Sequence, residues 1–262
     1  MTTFPDINAA YLHLLRDVWF DPQFRPSPHK TTDSPGYIPN GGETRERLNY
    51  QVTIRRPDVP GFVTASEARN KLMNAFMARE IELFDKGEIR VDEMKRHSKL
   101  WERIANPDGT INANYGHMAM HLNDAGNIAY NPDQGFITQW AWAKARLKED
   151  PDTRQAYLHF NRPKDQWEGN RDQPCTMFVQ FIMRENRLHM ASYMRSNDLV
   201  YGTPYNLGYF AHMMDLMVAE LRPSYPHAEK GDLTHTVTSL HIYERHRDKV
   251  EAMLGLKVGK CT

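Results

Sequence analysis

Pro174-Cys175-Thr176-Met177-Phe178-Val179-Gln180-Phe181-Ile182-Met183-Arg184-Glu185-Asn186-Arg187-Leu188-His189-Met190-Ala191-Ser192-Tyr193-Met194-Arg195-Ser196-Asn197-Asp198 is the stretch that organises this chain. Met177–Met183 and Leu188–Tyr193 are short apolar runs separated by a polar turn, and both read as strands. If the two pair as a hairpin, their outer ends meet. A lone cysteine then lies beside Arg195-Ser196.

The pattern changes on both sides of this hairpin. Downstream, Leu207–Leu221 is a Met-rich apolar helix, His235–Tyr243 a last strand and Arg245–Leu254 a closing helix. Upstream, Ala156–Phe160 reads as a strand, and Phe136–Leu147 as a helix that stops near Asp150-Pro151-Asp152. Trp101–Tyr115 is irregular, with turn signals at Pro107-Asp108-Gly109. Thr64 or Ser66 caps a helix through Leu72, Phe76, Ile81 and Phe84. Asn49–Ile54 reads as a strand, and Asp21–Gly42 as a long Pro-rich loop. Ile7, Tyr11, Leu14, Leu15 and Val18 fall at helical spacing over residues 6–19. No repeat or linker divides the chain. The expectation is one α+β domain over residues 1–262, with a large mixed sheet flanked by helices and an N-terminal helix and Pro-rich loop over residues 1–45.

The 262 residues carry 33 Lys and Arg against 33 Asp and Glu. A net charge of zero argues against long nucleic acid as a partner, so an anionic ligand is bound by a few placed arginines. Hydrophobic residues make up 40% of the chain, yet no run is long enough to span a bilayer and no signal-peptide pattern opens it. Cys175 and Cys261 are the two cysteines. A disulfide framework is not expected, and a reducing cytoplasm is.

Several residues have chemistry in reach, each with a structural alternative. Cys175 is either a buried small hydrophobe or a nucleophile whose thiolate needs a nearby cation, with Arg195 the nearest candidate. Arg195 and Ser196 either hold a phosphate or form a surface contact with Asp198. Arg154, in Asp150-Pro151-Asp152-Thr153-Arg154, is a second phosphate candidate in what is otherwise a solvated turn. Asn206 either caps the following helix or reads the O4 and N3–H edge of a uracil ring. His241 and Tyr243 alternate on one strand face and reach a sugar hydroxyl or pack as a strand pair. His235, His241 and His246 match no metal-ligand spacing, and no metal is expected.

Pro174-Cys175, Arg195-Ser196-Asn197-Asp198, Gly202 with Asn206, and Ser239-Leu240-His241-Ile242-Tyr243 together resemble the thymidylate synthase superfamily. The resemblance extends upstream through the arginine segment at Arg154, Asn114-Tyr115-Gly116, Leu100-Trp101-Glu102 and Arg79-Glu80-Ile81-Glu82, and covers roughly Ser66 to His246. Within the superfamily the chain looks closer to the phage deoxycytidylate hydroxymethylases. Cys175 is followed by Thr176 where the synthases usually have His, and Gly255–Thr262 does not resemble the synthases' closing tail.

The resemblance implies a homodimer with shared sites that acts on a pyrimidine nucleoside monophosphate, with 5,10-methylenetetrahydrofolate as co-substrate and without nucleic acid or membrane partners. It implies Cys175, Glu80, Asn206 and Tyr115 as catalytic residues. Arg195, Ser196, Arg154, His241 and Tyr243 would bind nucleotide, with Arg45 or Arg47 as the N-terminal arginine; Trp101 and Asp198 would line the folate side. Two departures stand out. The deoxycytidylate hydroxymethylases have Asp where this chain has Asn206, which suits uracil. Gln155 stands where the family usually has a second arginine.

Overall fold

The computed structural model describes residues 2–25, 43–59, 61–122 and 138–256. Phe136, Cys261, most of the Pro-rich stretch and the last six residues lie outside that set.

The hairpin forms as its sequence suggests. β4 (Thr176–Arg184) and β5 (Arg187–Asp198) pair antiparallel from Arg184 opposite Arg187 to Thr176 opposite Met194. Glu185 and Asn186 both have positive φ, 51° and 62°. That is the two-residue turn whose twist matches its strands, and Asn tolerates it well. Val179, Phe181 and Met183 alternate into the core from β4, as do Leu188 and Met190 from β5.

Four more strands extend this hairpin into a six-stranded mixed sheet in the order β1-β2-β6-β5-β4-β3. β3 (Tyr157–His159) is the short edge beside β4. β6 (Glu229–Tyr243) runs parallel to β5, and β2 (Thr44–Arg56) runs antiparallel to β6. β1 (Thr2–Asp6) closes the other edge, parallel to β2.

Helices α1 (Ile7–Phe20), α5 (Gln139–Glu149) and α6 (Thr203–Leu221) touch the sheet. α1 and α5 each pack on α6, so the three share one sheet face. α6 is apolar nearly all round and is buried accordingly. Phe210, Met213, Met214, Met217 and Leu221 are wholly enclosed, each stabilising the fold by roughly 1.5–3 kcal/mol. α2 (Glu67–Asp85) lies over α6 and is capped by the Ser66 hydroxyl, which accepts from Arg69 N at 3.4 Å. The crossing is close enough that a Cβ on Gly208 would stand 2.2 Å from Met77 Sδ. α7 (Arg247–Leu254) ends on Gly255 at φ 68° and packs on α1.

Several elements depart from the sequence reading. Residues 91–97 form a short helix, α3, in a stretch to which the sequence reading assigns no element, and residues 100–104 form another, α4, at the start of the Trp101–Tyr115 stretch read as irregular. β2 begins at Thr44, not Asn49, and β6 at Glu229, not His235. β1 carries Pro5 and no alternation; a proline is tolerated because the strand is an edge. α6 begins at Thr203, four residues before the apolar run.

Candidate active site

The two ends of the hairpin meet. Arg195 N donates to Cys175 O at 2.9 Å. The Arg195 side chain donates from Nε to Pro174 O at 3.0 Å and from Nη2 to Gln173 O at 2.9 Å. A contact with Asp198 is thus not what occupies this guanidinium. It grips the backbone that presents Cys175, and its other N–H groups meet no acceptor among the described residues. Cys175 is half-buried, and a bulge between Thr176 and Phe178 breaks the ladder beside it. Burial pushes its thiol up; the Arg195 charge acts the other way with a smaller effect. Arg195 is the cation nearest the thiol, and desolvation outweighs its pull.

Tyr115 connects this strand end to α2. Its buried hydroxyl accepts from Thr176 N at 3.2 Å. Its ring meets Phe84 of α2 edge-on at 5.7 Å and Phe160 at 5.1 Å. Burial, and then the Cys175 charge, push its phenol up. Neighbouring Asn114 is fully enclosed and holds the end of α2 through Leu83 O at 3.3 Å and Glu88 O at 2.8 Å, while accepting from His117 N at 2.8 Å. Gly116 allows this close approach, since a Cβ there would stand 1.9 Å from Phe84 O.

Glu80 lies one turn before Phe84 on α2. It is half-buried and has no ion pair or hydrogen bond among the described residues. Burial alone pushes its carboxyl up to about 8. A carboxyl poised near neutrality can both give and take a proton. The next glutamate, Glu82, makes a sharp contrast: Arg79 and Lys86 hold it down at about 2 on the surface.

The loop from β5 to α6 positions Asn206. Asp198 Oδ1 accepts from Val200 N at 2.8 Å, and Leu199 N donates to His241 O at 2.9 Å. Tyr11 of α1 donates to Leu199 O at 3.0 Å, and Arg69 of α2 to Val200 O at 2.5 Å. Gly202 caps α6; a Cβ there would stand 2.7 Å from Asn197 Oδ1. Asn206 is therefore a full turn inside the helix, with N bonded to Gly202 O at 2.9 Å. The capping alternative is excluded, and its carboxamide has no protein partner among the described residues.

The adjoining strand ends supply Ser196 and Asp198 of β5, opposite Ser239 and His241 of β6. His241 is buried, with Nδ1 3.3 Å from Ser239 O and its ring 5.0 Å from Tyr243. Tyr243 is half-buried beneath the Arg245 guanidinium, 4.1 Å from its ring centroid. Across β6, Glu46 of β2 accepts from the Ser239 hydroxyl.

Four expected residues stand apart from this group or are otherwise engaged. Arg45 is bound to Glu244 Oε1 at 2.6 Å, to Trp19 O and to the Trp19 ring. Arg47 pairs with Asp17 at 2.9 Å and Asp21 at 3.2 Å. Trp101 is buried on α4. Arg154 is exposed before β3, and its carbonyl accepts from Gln180 at 2.7 Å. Gln180 is five strand positions from Cys175, about 16 Å at a strand's rise per residue.

Other polar residues lie near the site: Asp172, to which the sequence reading gives no role, and His235, one of the three histidines that match no metal-ligand spacing. Asp172 is buried and accepts from Asn112 N at 2.6 Å and Ala113 N at 3.0 Å; burial pushes its carboxyl up to about 6 against the pull of those bonds. His235, below the strand ends, is held neutral by burial at about 4, between Ser192 Oγ at 2.9 Å and Asn197 Nδ2 at 3.2 Å. A lone Asp beside the turn-rich 106–112 segment carried no signal that it would be enclosed.

No helix among the described residues is long and apolar enough to cross a membrane. Deoxycytidylate 5-hydroxymethyltransferases of Enterobacteria phages T6, T4 and T2 are each 29% identical over 182 residues, covering 67% of this chain and 69% of theirs. The structure of thermostable thymidylate synthase A from Bacillus subtilis superposes with a TM-score of 0.67 at 18% identity, over 94% of this chain and 83% of that one. The thymidylate synthase family model matches residues 42–260, and the chain belongs to the thymidylate synthase family.

Proposed function

We propose that the protein is a pyrimidine nucleotide C5 hydroxymethyltransferase that works through a covalent Cys175 adduct, with dUMP its preferred substrate. That it is a one-carbon transferase follows from its family. The observation that carries the finer reading is the linkage of Cys175 to Glu80 through Thr176, Tyr115 and Phe84. That chain of contacts supports a nucleophile and a carboxyl raised by burial acting in one site.

C5 of a pyrimidine is a poor nucleophile until a thiolate adds at C6. Cys175 makes that bond, and the thiolate leaves C6 again when the C5 proton has been lost and the C5–C6 double bond of the product re-forms. Arg195 offers its remaining N–H groups to the phosphate, with Ser196 beside it. His241 and Tyr243 lie along the adjoining strand for the sugar. Glu80 moves protons at the base, and Tyr115 fixes the strand that carries the thiol. Methylenetetrahydrofolate supplies a one-carbon unit at the oxidation level of formaldehyde, and Trp101 and Asp198 are the residues assigned to its side. Addition of water to that carbon gives hydroxymethyl; addition of hydride gives methyl. The phage relatives, by name hydroxymethyltransferases, support the first outcome. Incubation with methylenetetrahydrofolate and each of dUMP, dCMP, UMP and CMP, with products identified by mass, tests this. Thymidylate as the sole product would overturn it.

Base choice rests on Asn206. A carboxamide with its NH2 toward O4 and its oxygen toward N3–H matches the edge of uracil; cytosine presents the reverse pattern, which the amide meets only by flipping, so Asn206 permits some cytosine binding. Burial against a mismatched edge leaves polar groups unpaired. The wild type should prefer dUMP over dCMP in kcat/KM, by about tenfold or more. Asn206→Asp should move the preference toward dCMP. A wild type that prefers dCMP would overturn the substrate assignment and leave the chemistry standing.

A homodimer completes the reading. The sheet face opposite the helices bears Phe178 stacked on Tyr193 at 5.7 Å, half-exposed Ile182 and exposed Tyr157. No helix among the described elements packs there, and such a face suits a second copy. Arg154, remote from Cys175 in its own chain, would then reach the phosphate in its partner. Mixing inactive Arg154→Ala and Cys175→Ser chains should restore up to about a quarter of wild-type activity in statistically assembled dimers. No recovery in verified mixed dimers would count against shared sites.

A further inference from the structure

The backbone that presents Cys175 is not held by a strand ladder. Residues 171–174 form no helix or strand, β4 begins at Thr176, and the bulge after Thr176 interrupts the first pair of that strand. The facing stretch, residues 111–114, is equally irregular. Side chains must therefore place the nucleophile. Arg195 holds one side, through Gln173 O and Pro174 O. Pro174 is itself buried and restricts the backbone just before Cys175.

Asp172 holds the other side. It is 4% exposed, and a single oxygen, Oδ2, accepts from Asn112 N at 2.6 Å and from Ala113 N at 3.0 Å. Asn170 strengthens the tie: its Oδ1 accepts from Asp172 N at 2.9 Å and from Asn112 Nδ2 at 3.2 Å. Four residues after Asp172, Thr176 N donates to the Tyr115 hydroxyl at 3.2 Å. Segments 112–115 and 172–176 are thus joined at both ends, with Cys175 between the joints. On the facing segment, Asn114 binds Leu83 O and Glu88 O at the end of α2. Leu83 is three residues from Glu80, so the joined segments register Cys175 against the helix that carries the carboxyl. A carboxylate enclosed this far loses its water, and two charge-assisted bonds to one oxygen offset that loss. Its charge disfavours a thiolate at Cys175. The contribution of Asp172 to the nucleophile is therefore its geometry.

We propose that Asp172 is a positioning residue of the reaction: by clamping segment 172–176 to segment 112–115, it sets the place of the Cys175 sulfur relative to Tyr115 and to α2. It touches no reacting atom. What it supplies is an acceptor at a fixed reach, one methylene from its own backbone to the two N–H groups. Asparagine has the same reach and an acceptor oxygen without the charge. Glutamate has the charge and the acceptor, but one methylene too far out. Reach and charge can therefore be varied one at a time. A displaced nucleophile loses rate steeply, because the bound geometry no longer aligns the reacting atoms. The ionisable groups that act on Asp172 or feel its charge are Asp165, Tyr115 and Cys175. Asp165 is itself paired with Arg162 at 2.7 Å.

The proposal rests on Cys175 and Glu80 as the nucleophile and the acid–base group of the site. It is tested in the full chain with Asp172→Asn and Asp172→Glu. Asp172→Asn should keep kcat within about twofold of wild type, and Asp172→Glu should lower it about tenfold or more, with the nucleotide KM within about twofold in both. The pH midpoint for alkylation of Cys175 should divide the variants the other way. It should fall in Asp172→Asn, where a neighbouring negative charge is gone, and stay near the wild-type value in Asp172→Glu. Full kcat in Asp172→Glu, or equal losses in the two variants, would overturn the clamp. A second readout needs no turnover: hydrogen exchange at Thr176 N, followed by NMR. It should be as slow in Asp172→Asn as in wild type and faster in Asp172→Glu, with exchange in α6 unchanged in both. Equal protection of Thr176 in all three proteins would overturn the clamp, and so would loss of protection through α6 as well, which would mean general loosening. Absence of wild-type turnover with every nucleotide would instead refute the proposed reaction, and the exchange alone would then decide on the clamp.

Discussion

Cys175→Ser should abolish turnover, with kcat falling on the order of 10³-fold or more, while nucleotide still binds. The loss is large because nothing else makes the bond at C6: a neutral hydroxyl in the same place is a far weaker nucleophile at neutral pH. Binding persists because the backbone that Arg195 grips belongs to Gln173 and Pro174, not to the thiol. Equilibrium dialysis with dUMP, beside a single-turnover assay, checks both halves. Activity above about one per cent of wild type would remove Cys175 from the mechanism. The thiol offers a second readout. Burial raises it and the Arg195 charge offsets part of that rise. Alkylation of Cys175 should therefore have a pH midpoint above that of a free thiol in the wild type, and a higher one in Arg195→Gln. An unchanged midpoint would mean that Arg195 acts only through the backbone carbonyls it holds.

The elements legible in the sequence are those whose local pattern and tertiary role agree. The β4–β5 hairpin has alternating apolar residues and a turn that accepts positive φ, and α6 has an apolar run long enough to be buried on every side. Elements that escaped reading depend on partners. Thr44–Leu48 is too charged to read as a strand, yet Arg45 and Arg47 find Glu244 and Asp17, and the backbone pairs with Ser239–Tyr243. β1 exists because β2 has an open edge. α3 and α4 are too short for a periodic signal, and tertiary packing of Met94 and Trp101 maintains them.

The site divides in the same way. The candidates Cys175, Arg195, Ser196, Asn206, His241 and Tyr243 stand out in the sequence because they occur in compact ordered motifs, and the strand register brings all but Asn206 to one end of the sheet. What sequence could not supply is the state of each group. The cation beside Cys175 was visible, but not that burial would outweigh it. Asp172, Asn114 and Tyr209 look like ordinary surface or core residues until the fold encloses them. Arg154 was visible, and its distance from Cys175 within one chain was not.

Glu80→Gln should divide activity and stability in opposite directions. Loss of the acid–base group should lower kcat by about 10²–10⁴-fold, with KM little changed. Stability should respond in a pH-dependent way. Burial raises the Glu80 carboxyl to about 8 from 4.5. Below the unfolded value it is protonated in both states and stabilises the fold as a neutral group. Between those values the folded protein holds a proton that the unfolded chain has lost, so stability falls as pH rises through this window and levels off above it. The glutamine is neutral and nearly isosteric throughout. The variant should match the wild type near pH 4.5 and exceed it above pH 8, by less than the roughly 4.8 kcal/mol that a rise from 4.5 to about 8 corresponds to, because Glu80 is only half-buried. Urea unfolding followed from pH 4.5 to 9 measures the difference directly. A constant difference would show that Glu80 is solvated in solution and ordinary in its titration. The same carboxyl would then lack the near-neutral pKa on which its role as both acid and base depends.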